Sequence, residues 1–394
     1  MRIKTILAGL SLCAIGTMSA QAQAQAQATQ PLKIGFLAEM AGMYGAPGQD
    51  QYDAFMLAVE ERGGKLGGIP VQIMKEDTQF KPDVASQIVD RLMDREKVEL
   101  FTGLTYTHIA LAIYKKINDK GGFMIASNTG PAQIAGKGCV PNFFATTWQN
   151  DQLSQVVGKY ASEQGYKNIF ALAPNYQAGR DFVEGFKDAY GRPLLNEIYT
   201  PVAQQDFSAE LSMIQAASPD AVYVFYPGAL GVNFVKQYNQ AGLSGTPLLN
   251  TATTEGINLP AQGEAATGAV NGSFWGPDFD NETSKHFVKA FDAKYKRIPS
   301  QYAAQAYDSA LLIDSALRKV GGDISNKEAF RAALKEADFE SLRGDFKFGN
   351  NHFPIQDFHV FEAYKDDDGR MNVRRVATPM VQAQDRFAAQ CSME

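Results

Sequence analysis

The stretch from Pro31 to Gly64 confines this chain to a small set of folds, because it reads as a strand, a glycine-rich loop and a helix in immediate succession. Lys33 to Ala38 is a short apolar run suited to a strand buried on both faces. Glu39 to Gly48 holds three glycines and a proline, which predicts an irregular loop with Tyr44 at its tip. From Gln49 the residues Ala54, Phe55, Ala58 and Val59 share one helical face. Asp50 and Asp53 are expected in the first turn, where the helix dipole favours acids, and Gly63-Gly64 ends the run. In open α/β sheets, ligands bind where a parallel strand passes into the following helix.

The same alternation continues. Strands are expected at Val71 to Lys75, Val98 to Gly103 and Phe123 to Ala126, with helices at Pro82 to Arg95 and Ile109 to Lys120. Ser127 to Pro141 is turn-rich and Asn142 to Trp148 reads as an extended link. A second set follows, with strands at Asn168, Leu195, Ala221 and Pro247 separated by helices starting near Asp151, Gly179, Ala209 and Gly231. Past the run Ala269 to Phe274, helices at Asn281, Gln301 and Lys327 have no strands between them. They must therefore pack onto a lobe already built. Gln356 to Tyr364 and Asn372 to Ala377 flank an Asp-rich turn and predict a hairpin. The expectation is an α/β chain of two doubly wound βα lobes joined by crossover segments. Lobe 1 takes residues 31–146 plus 276–355, and lobe 2 takes 147–275 plus 356–394.

At 394 residues the chain is long for a single core. Arg2 and Lys4 precede the apolar run Ile6 to Ile15, and Ala20-Gln21-Ala22 supplies small residues, so residues 1–22 read as a cleaved signal peptide. Cys13 follows Leu12, where a lipoprotein signal requires a small residue, which disfavours lipidation. Loss of Arg2 and Lys4 takes the net charge from −6 to −8, which argues against a nucleic-acid partner. The expected location is an extracytoplasmic space. There the remaining pair, Cys139 and Cys391, is expected as a disulfide, two unpaired thiols being the alternative.

Signals of catalysis are weak. The four histidines, His108, His286, His352 and His359, lack metal-binding spacing, and His352 and His359 are expected at the surface. No nucleophile elbow, Walker A loop or complete dinucleotide fingerprint occurs, so no enzyme activity, metal or cofactor is expected. The strand-to-helix loops instead carry Tyr44, Thr105-Tyr106-Thr107-His108, Ser127-Asn128-Thr129, Asn175-Tyr176, Tyr226 and Thr251 to Glu255. Hydroxyls, an amide and N–H groups at helix starts can hold a carboxylate without a basic residue, while tyrosines wall its apolar part. Such residues also serve as caps and turn formers. Phe80, Trp148 and Trp275 add aromatic rings near the expected cleft. Hinge packing is the favoured role for the two tryptophans, and Arg180 is placed equally well to meet a ligand or solvent.

These residues carry a resemblance to the type I periplasmic solute-binding proteins of ABC importers, in the leucine/isoleucine/valine-binding branch. KIGFLAEMAGMYG with the helix DQYDAFMLAVEERGG, the segment GGIPVQIMKEDTQFKPDVA, Phe101 to His108, SNTGP from Ser127, and FYPGALGVNFVKQYNQAGL bear it. The resemblance implies crossovers near residues 146, 275 and 355 and a ligand held between two closing lobes. It implies that hydroxyls of Thr105 to Thr107 and the loop Ser127, Asn128, Thr129 hold the ligand carboxylate. It further places Tyr226 against the ligand side chain and Glu255 against an ammonium. The enrichment in tyrosine (Tyr44, Tyr106, Tyr176, Tyr226) leans the expected ligand towards an aromatic or aliphatic organic acid, delivered to an inner-membrane permease. Branched-chain amino acid binding is the alternative, and a ligand-sensing receptor domain a weaker one.

Overall fold

The structure is a computed structural model that describes residues 30–393, so the expected signal peptide and Cys13 lie outside the described residues. The first sheet has six strands: β1 (Leu32–Ala38), β2 (Lys65–Leu66), β3 (Ile69–Asp77), β4 (Leu100–Gly103), β5 (Phe123–Ala126) and β6 (Phe143–Ala145). Their order across the sheet is 2-3-1-4-5-6. Helices α1 (Gly45–Glu61) and α3 (Thr107–Asp119) link parallel neighbours, α2 (Pro82–Asp94) carries the chain from β3 past β1 to β4, and the short α4 (Ala132–Ala135) lies in the turn-rich segment. β4 and β5 are buried throughout, as four-residue apolar runs in the middle of a parallel sheet must be.

The second sheet holds β7 (Ile169–Pro174), β8 (Asn196–Thr200), β9 (Ala221–Phe225), β10 (Leu248–Thr251), β11 (Val270–Ser273), β12 (Lys347–Phe348), β13 (Pro354–Lys365) and β14 (Met371–Ala383). Its helices are α5 (Asn150–Glu163), α6 (Gln177–Tyr190), α7 (Ser208–Ala217), α8 (Ala229–Gln240) and the short α9 (Leu259–Gln262). The last three, α10 (Glu282–Tyr295), α11 (Gln301–Lys319) and α12 (Lys327–Glu336), return to the first lobe, where α11 packs along α1. The hairpin β13–β14 adds antiparallel strands to the second sheet beside β11.

Three details differ from the sequence reading. The glycine-rich loop is shorter than expected, because α1 begins at Gly45 and takes Pro47 and Gly48 into its first turn, where proline's missing N–H costs nothing. Only glycine fits at 48, since a Cβ there would lie 1.9 Å from the Glu39 carbonyl oxygen. Starting the helix early moves Asp50 inwards, away from the helix start. It is fully buried, accepts from Arg297 at 2.8 Å and from the Ser300 hydroxyl, and so fastens α1 to α11. His352 and His359 are buried too. His352 stacks on Phe144 with ring centres 4.0 Å apart, and His359 lies on β13 against Phe279, with Thr378 Oγ1 2.9 Å from its Nδ1. Burial pulls both imidazoles down to about 4.

The chain passes between the sheets after β6, after β11 and before β13, and one side chain joins all three passages. Arg343 donates to Thr146 O at 2.7 Å and to Gln356 Oε1 at 2.6 Å, and its guanidinium lies 4.1 Å from the centre of the Phe274 ring. Its counter-charge is Asp308 of α11 at 3.1 Å, which also accepts from Ser341 and from Leu342 N–H. A fourth connection is covalent: Cys391 in the tail after β14 is bonded to Cys139 beyond α4, with Cα atoms 5.7 Å apart.

Candidate functional site

A narrow, partly open cavity of about 30 Å3 lies between the carboxyl ends of the two sheets. On the first lobe its wall is the loop from β4 to α3. Leu104 adopts a left-handed conformation, φ 72°, as its N–H meets Leu37 O at 2.6 Å. This turn presents Thr105, Tyr106 and Thr107 to the cavity at the start of α3. After β5, Asn128 and Thr129 complete that wall, Thr129 also at positive φ, 55°.

Asn150, the first residue of α5, forms the floor. Its Nδ2 donates to Thr107 Oγ1 at 3.1 Å and to Asp181 Oδ2 at 2.9 Å, and its Oδ1 accepts from Gly130 N–H at 2.8 Å. One amide thus ties both lobes beneath the cavity, while Thr107 and Thr129 share a hydroxyl–hydroxyl bond of 2.7 Å. The remaining walls are aromatic: Trp148 on the first crossover, Tyr302 at the start of α11, and Tyr176, Phe182 and Phe225 from the second lobe. Ala178, Pro227 and Ala252 fill the gaps, and no charged side chain lines the cavity among the described residues.

The donors facing this space are therefore neutral. The first N–H groups of α3 and α6 have no partner within their helices, and both helix starts border the cavity. Trp148 is buried and its Nε1 has no hydrogen-bond partner. An unpaired buried donor is costly, so an acceptor on a bound molecule would stabilise it.

The residues singled out from the sequence fall into three groups. Thr105, Tyr106, Thr107, Asn128, Thr129 and Tyr176 line the cavity together. Two others support it from behind or at the rim. Ser127 donates to Gln51 Oε1 at 2.7 Å, and Gln51 Nε2 donates on to Thr105 Oγ1 at 3.2 Å. Tyr44 stacks on Phe80 with centres 4.0 Å apart, and its hydroxyl donates to Val202 O of the second lobe. Phe80, Tyr106, His108 and Tyr176 extend this into an aromatic rim that crosses the mouth between lobes. Arg180 is exposed and donates to Asn175 Oδ1.

Tyr226 and Glu255 lie elsewhere. Tyr226 packs against Phe207 and Phe234, with its hydroxyl 3.1 Å from Thr200 Oγ1, and the cavity is walled instead by its neighbours Phe225 and Pro227. Glu255 sits in a separate space beside Trp275, where its Oε1 accepts from Asn271 at 3.1 Å and from Gln301 at 2.5 Å. Burial pushes its carboxyl up to about 8. The folded chain then keeps a proton that the unfolded chain has released, so stability falls as pH rises from about 4.5 to about 8 and is level above. Glu255→Gln should remove that loss. The variant is expected to gain on the order of 1–3 kcal/mol over wild type between pH 5 and pH 8.5 in urea denaturation, and parallel pH profiles would refute it.

Sequence reading did not single out Asn150, Phe182, Phe225 or Tyr302, and it favoured hinge packing for Trp148. Trp148 does pack on Phe274, with ring centres 5.6 Å apart, while also lining the cavity. Asn150 was the most findable, since it opens a helix straight after an extended link.

The sequence profile described as periplasmic binding protein matches residues 31–369. A curated relative, the Leu/Ile/Val-binding protein homolog 6 of Brucella melitensis, is 25% identical over 361 residues, covering 88% of this chain and 91% of the relative. Among solved structures, the chain is similar to an ABC transporter solute-binding protein from R. palustris in complex with benzoate. Identity there is 30% and the TM-score 0.87, with 92% of this chain and 99% of that one covered. A solute-binding protein from Rhodopseudomonas palustris BisB5 in complex with 3,4-dihydroxy benzoic acid is 26% identical, with a TM-score of 0.83 and coverage of 90% and 99%.

Proposed function

The chain belongs to the periplasmic binding protein family, and from that premise we propose that it captures an aromatic carboxylate between its lobes and delivers it to an ABC permease in the inner membrane. The observation that carries this reading is an aromatic-walled cavity without a charged side chain. A carboxylate there is matched by the α3 and α6 starts and by the Thr107 and Thr129 hydroxyls, and a flat ring by Trp148, Tyr176 and Phe225. An amino-acid ammonium would meet no acid in that cavity, and burying it unpaired is costly. The benzoate and dihydroxybenzoate carried by the two similar structures support the same ligand class. The name of the Brucella relative favours a second reading, a branched-chain amino acid.

Both lobes contribute walls, so their contacts with a ligand are complete only when the mouth is shut, and binding shifts the open–closed equilibrium by that difference. The test is a melting-point screen of the mature protein against benzoate- and cinnamate-type acids and against branched-chain and aromatic amino acids. An acid at 100 times its Kd should stabilise by roughly 2.7 kcal/mol, a shift of a few degrees at this size. Trp148→Phe, which keeps the ring but removes the N–H, should weaken the best acid by about tenfold. A response confined to amino acids would overturn the aromatic-acid reading.

A further inference from the structure

The floor of the cavity holds one hydroxyl proton that the protein itself does not use. Its hydrogen bonds start at Asn150, whose amide orientation is fixed from two sides. Oδ1 accepts from Gly130 N–H at 2.8 Å, and a backbone N–H can only donate. Nδ2 donates to Asp181 Oδ2 at 2.9 Å, and Asp181, 9% exposed on α6, takes Gln177 Nε2 on its other oxygen at 2.7 Å. Asn150 N–H also donates to Gly130 O at 2.8 Å, an approach that needs glycine, because a Cβ at 130 would lie 1.9 Å from Trp148 O.

The other N–H of the Asn150 amide donates to Thr107 Oγ1, 3.1 Å away, so Thr107 accepts there. Thr107 and Thr129 own two hydroxyl protons and share a single bond of 2.7 Å. Whichever of them donates in that bond, one O–H is left without an acceptor among the described residues. Both residues line the cavity, so that proton is offered to whatever occupies it.

We propose that Asn150, anchored by Asp181, is a specificity-determining residue: by giving Thr107 an N–H rather than an oxygen, it reserves one hydroxyl proton for the ligand and selects a carboxylate over the matching amide. The inference rests on the carboxylate reading given above. A carboxylate takes the proton on either oxygen, whereas an amide brings an NH2 group that finds no partner on this floor. Leaving a donor unmatched in a buried site is costly, and specificity is that difference. An acceptor at position 150 would reverse the count. Thr107 would then donate to it and Thr129 to Thr107, with no proton left for the ligand.

The experiment is titration calorimetry of the mature protein with benzoate and with benzamide, which share a ring and differ in the polar end. Wild type is expected to bind benzoate about tenfold or more tightly than benzamide, and equal affinities overturn the inference. In Asn150→Asp the new carboxyl shares a proton with Asp181 and offers Thr107 only an acceptor. Benzoate binding should weaken by about tenfold or more while benzamide binding strengthens by about threefold to tenfold. Loss of both ligands, which means damage to the floor, or of benzoate alone, which means simple charge repulsion, overturns the inference. An uncharged test holds should Asn150→Asp fail to fold. Thr107→Val and Thr129→Val each leave one free O–H and should each weaken benzoate binding by less than about threefold, whereas the double variant leaves none and should weaken it by about tenfold or more. Losses that simply add, or a single variant that falls as far as the double, overturn the inference. While wild type binds benzoate, each of these failures leaves the ligand class intact. If wild type does not bind benzoate, the ligand reading and this inference fall together.

Discussion

Arg343→Ala is expected to lower the unfolding free energy by about 3–5 kcal/mol, the range for removing one member of a buried ion pair. Arg343 and Asp308 are both almost entirely shielded, with side chains 3% and 0% exposed. Without the guanidinium, Asp308 keeps only Ser341 and Leu342 N–H as partners in a place where burial already lifts its carboxyl above the usual range. Thr146 O and Gln356 Oε1 lose their donors at the same time, and the Phe274 ring loses the cation above it. These three partners belong to three different passages between the lobes, so the damage concentrates where the lobes are joined. Urea denaturation followed by fluorescence reads the effect, and a loss under about 1 kcal/mol would show that the passages hold their geometry without Arg343. Arg343→Lys should recover little of it, because an ammonium cannot form the forked set of bonds.

Cutting the disulfide comes next in size. Reduction, or Cys391→Ser, is expected to cost about 2–5 kcal/mol, since the bond closes a loop across a sequence separation of 252 residues. The tail does not depend on sulfur alone. Asn350 donates to Ala388 O at 2.8 Å, Asn351 donates to Asp385 at 2.8 Å, and Arg386 pairs with Asp151 and with Asp188 of the second lobe. These contacts favour the lower part of the range. Cys139→Ser and Cys391→Ser should lose equal amounts, and neither variant should respond further to reductant in a melting experiment. Unequal losses would mean that one thiol has a role outside the bond.

How far the site was legible differs residue by residue. Thr105, Tyr106, Thr107, Asn128 and Thr129 were readable because each follows a short apolar run and opens or precedes a helix, and that local order fixes which end of the sheet they occupy. Tyr226 was misread by a single position. At the end of a strand, neighbouring residues point to opposite faces, and nothing local says which of Phe225, Tyr226 and Pro227 faces the cleft. Glu255 follows a turn in which Ala252 is left-handed, φ 55°, and that bend carries the acid into a separate space while Ala252 itself lines the cavity. Tyr302 was invisible because it comes from the chain's second stay in the first lobe, far in sequence from every loop it meets.

The sequence by itself determined the alternation of strand and helix, the two-lobe α/β class and the neutral character of the cavity-facing loops. Those depend on local hydrophobic period and on what a helix start can donate. Tertiary structure alone decided that Arg343 joins the three passages, that Asp50 fastens α1 to α11, and that Trp148 lines the cavity while its buried N–H stays unpaired. Each of these is a meeting of segments far apart in the chain, and burial there gives a charge or an unpaired donor a weight that no local pattern records.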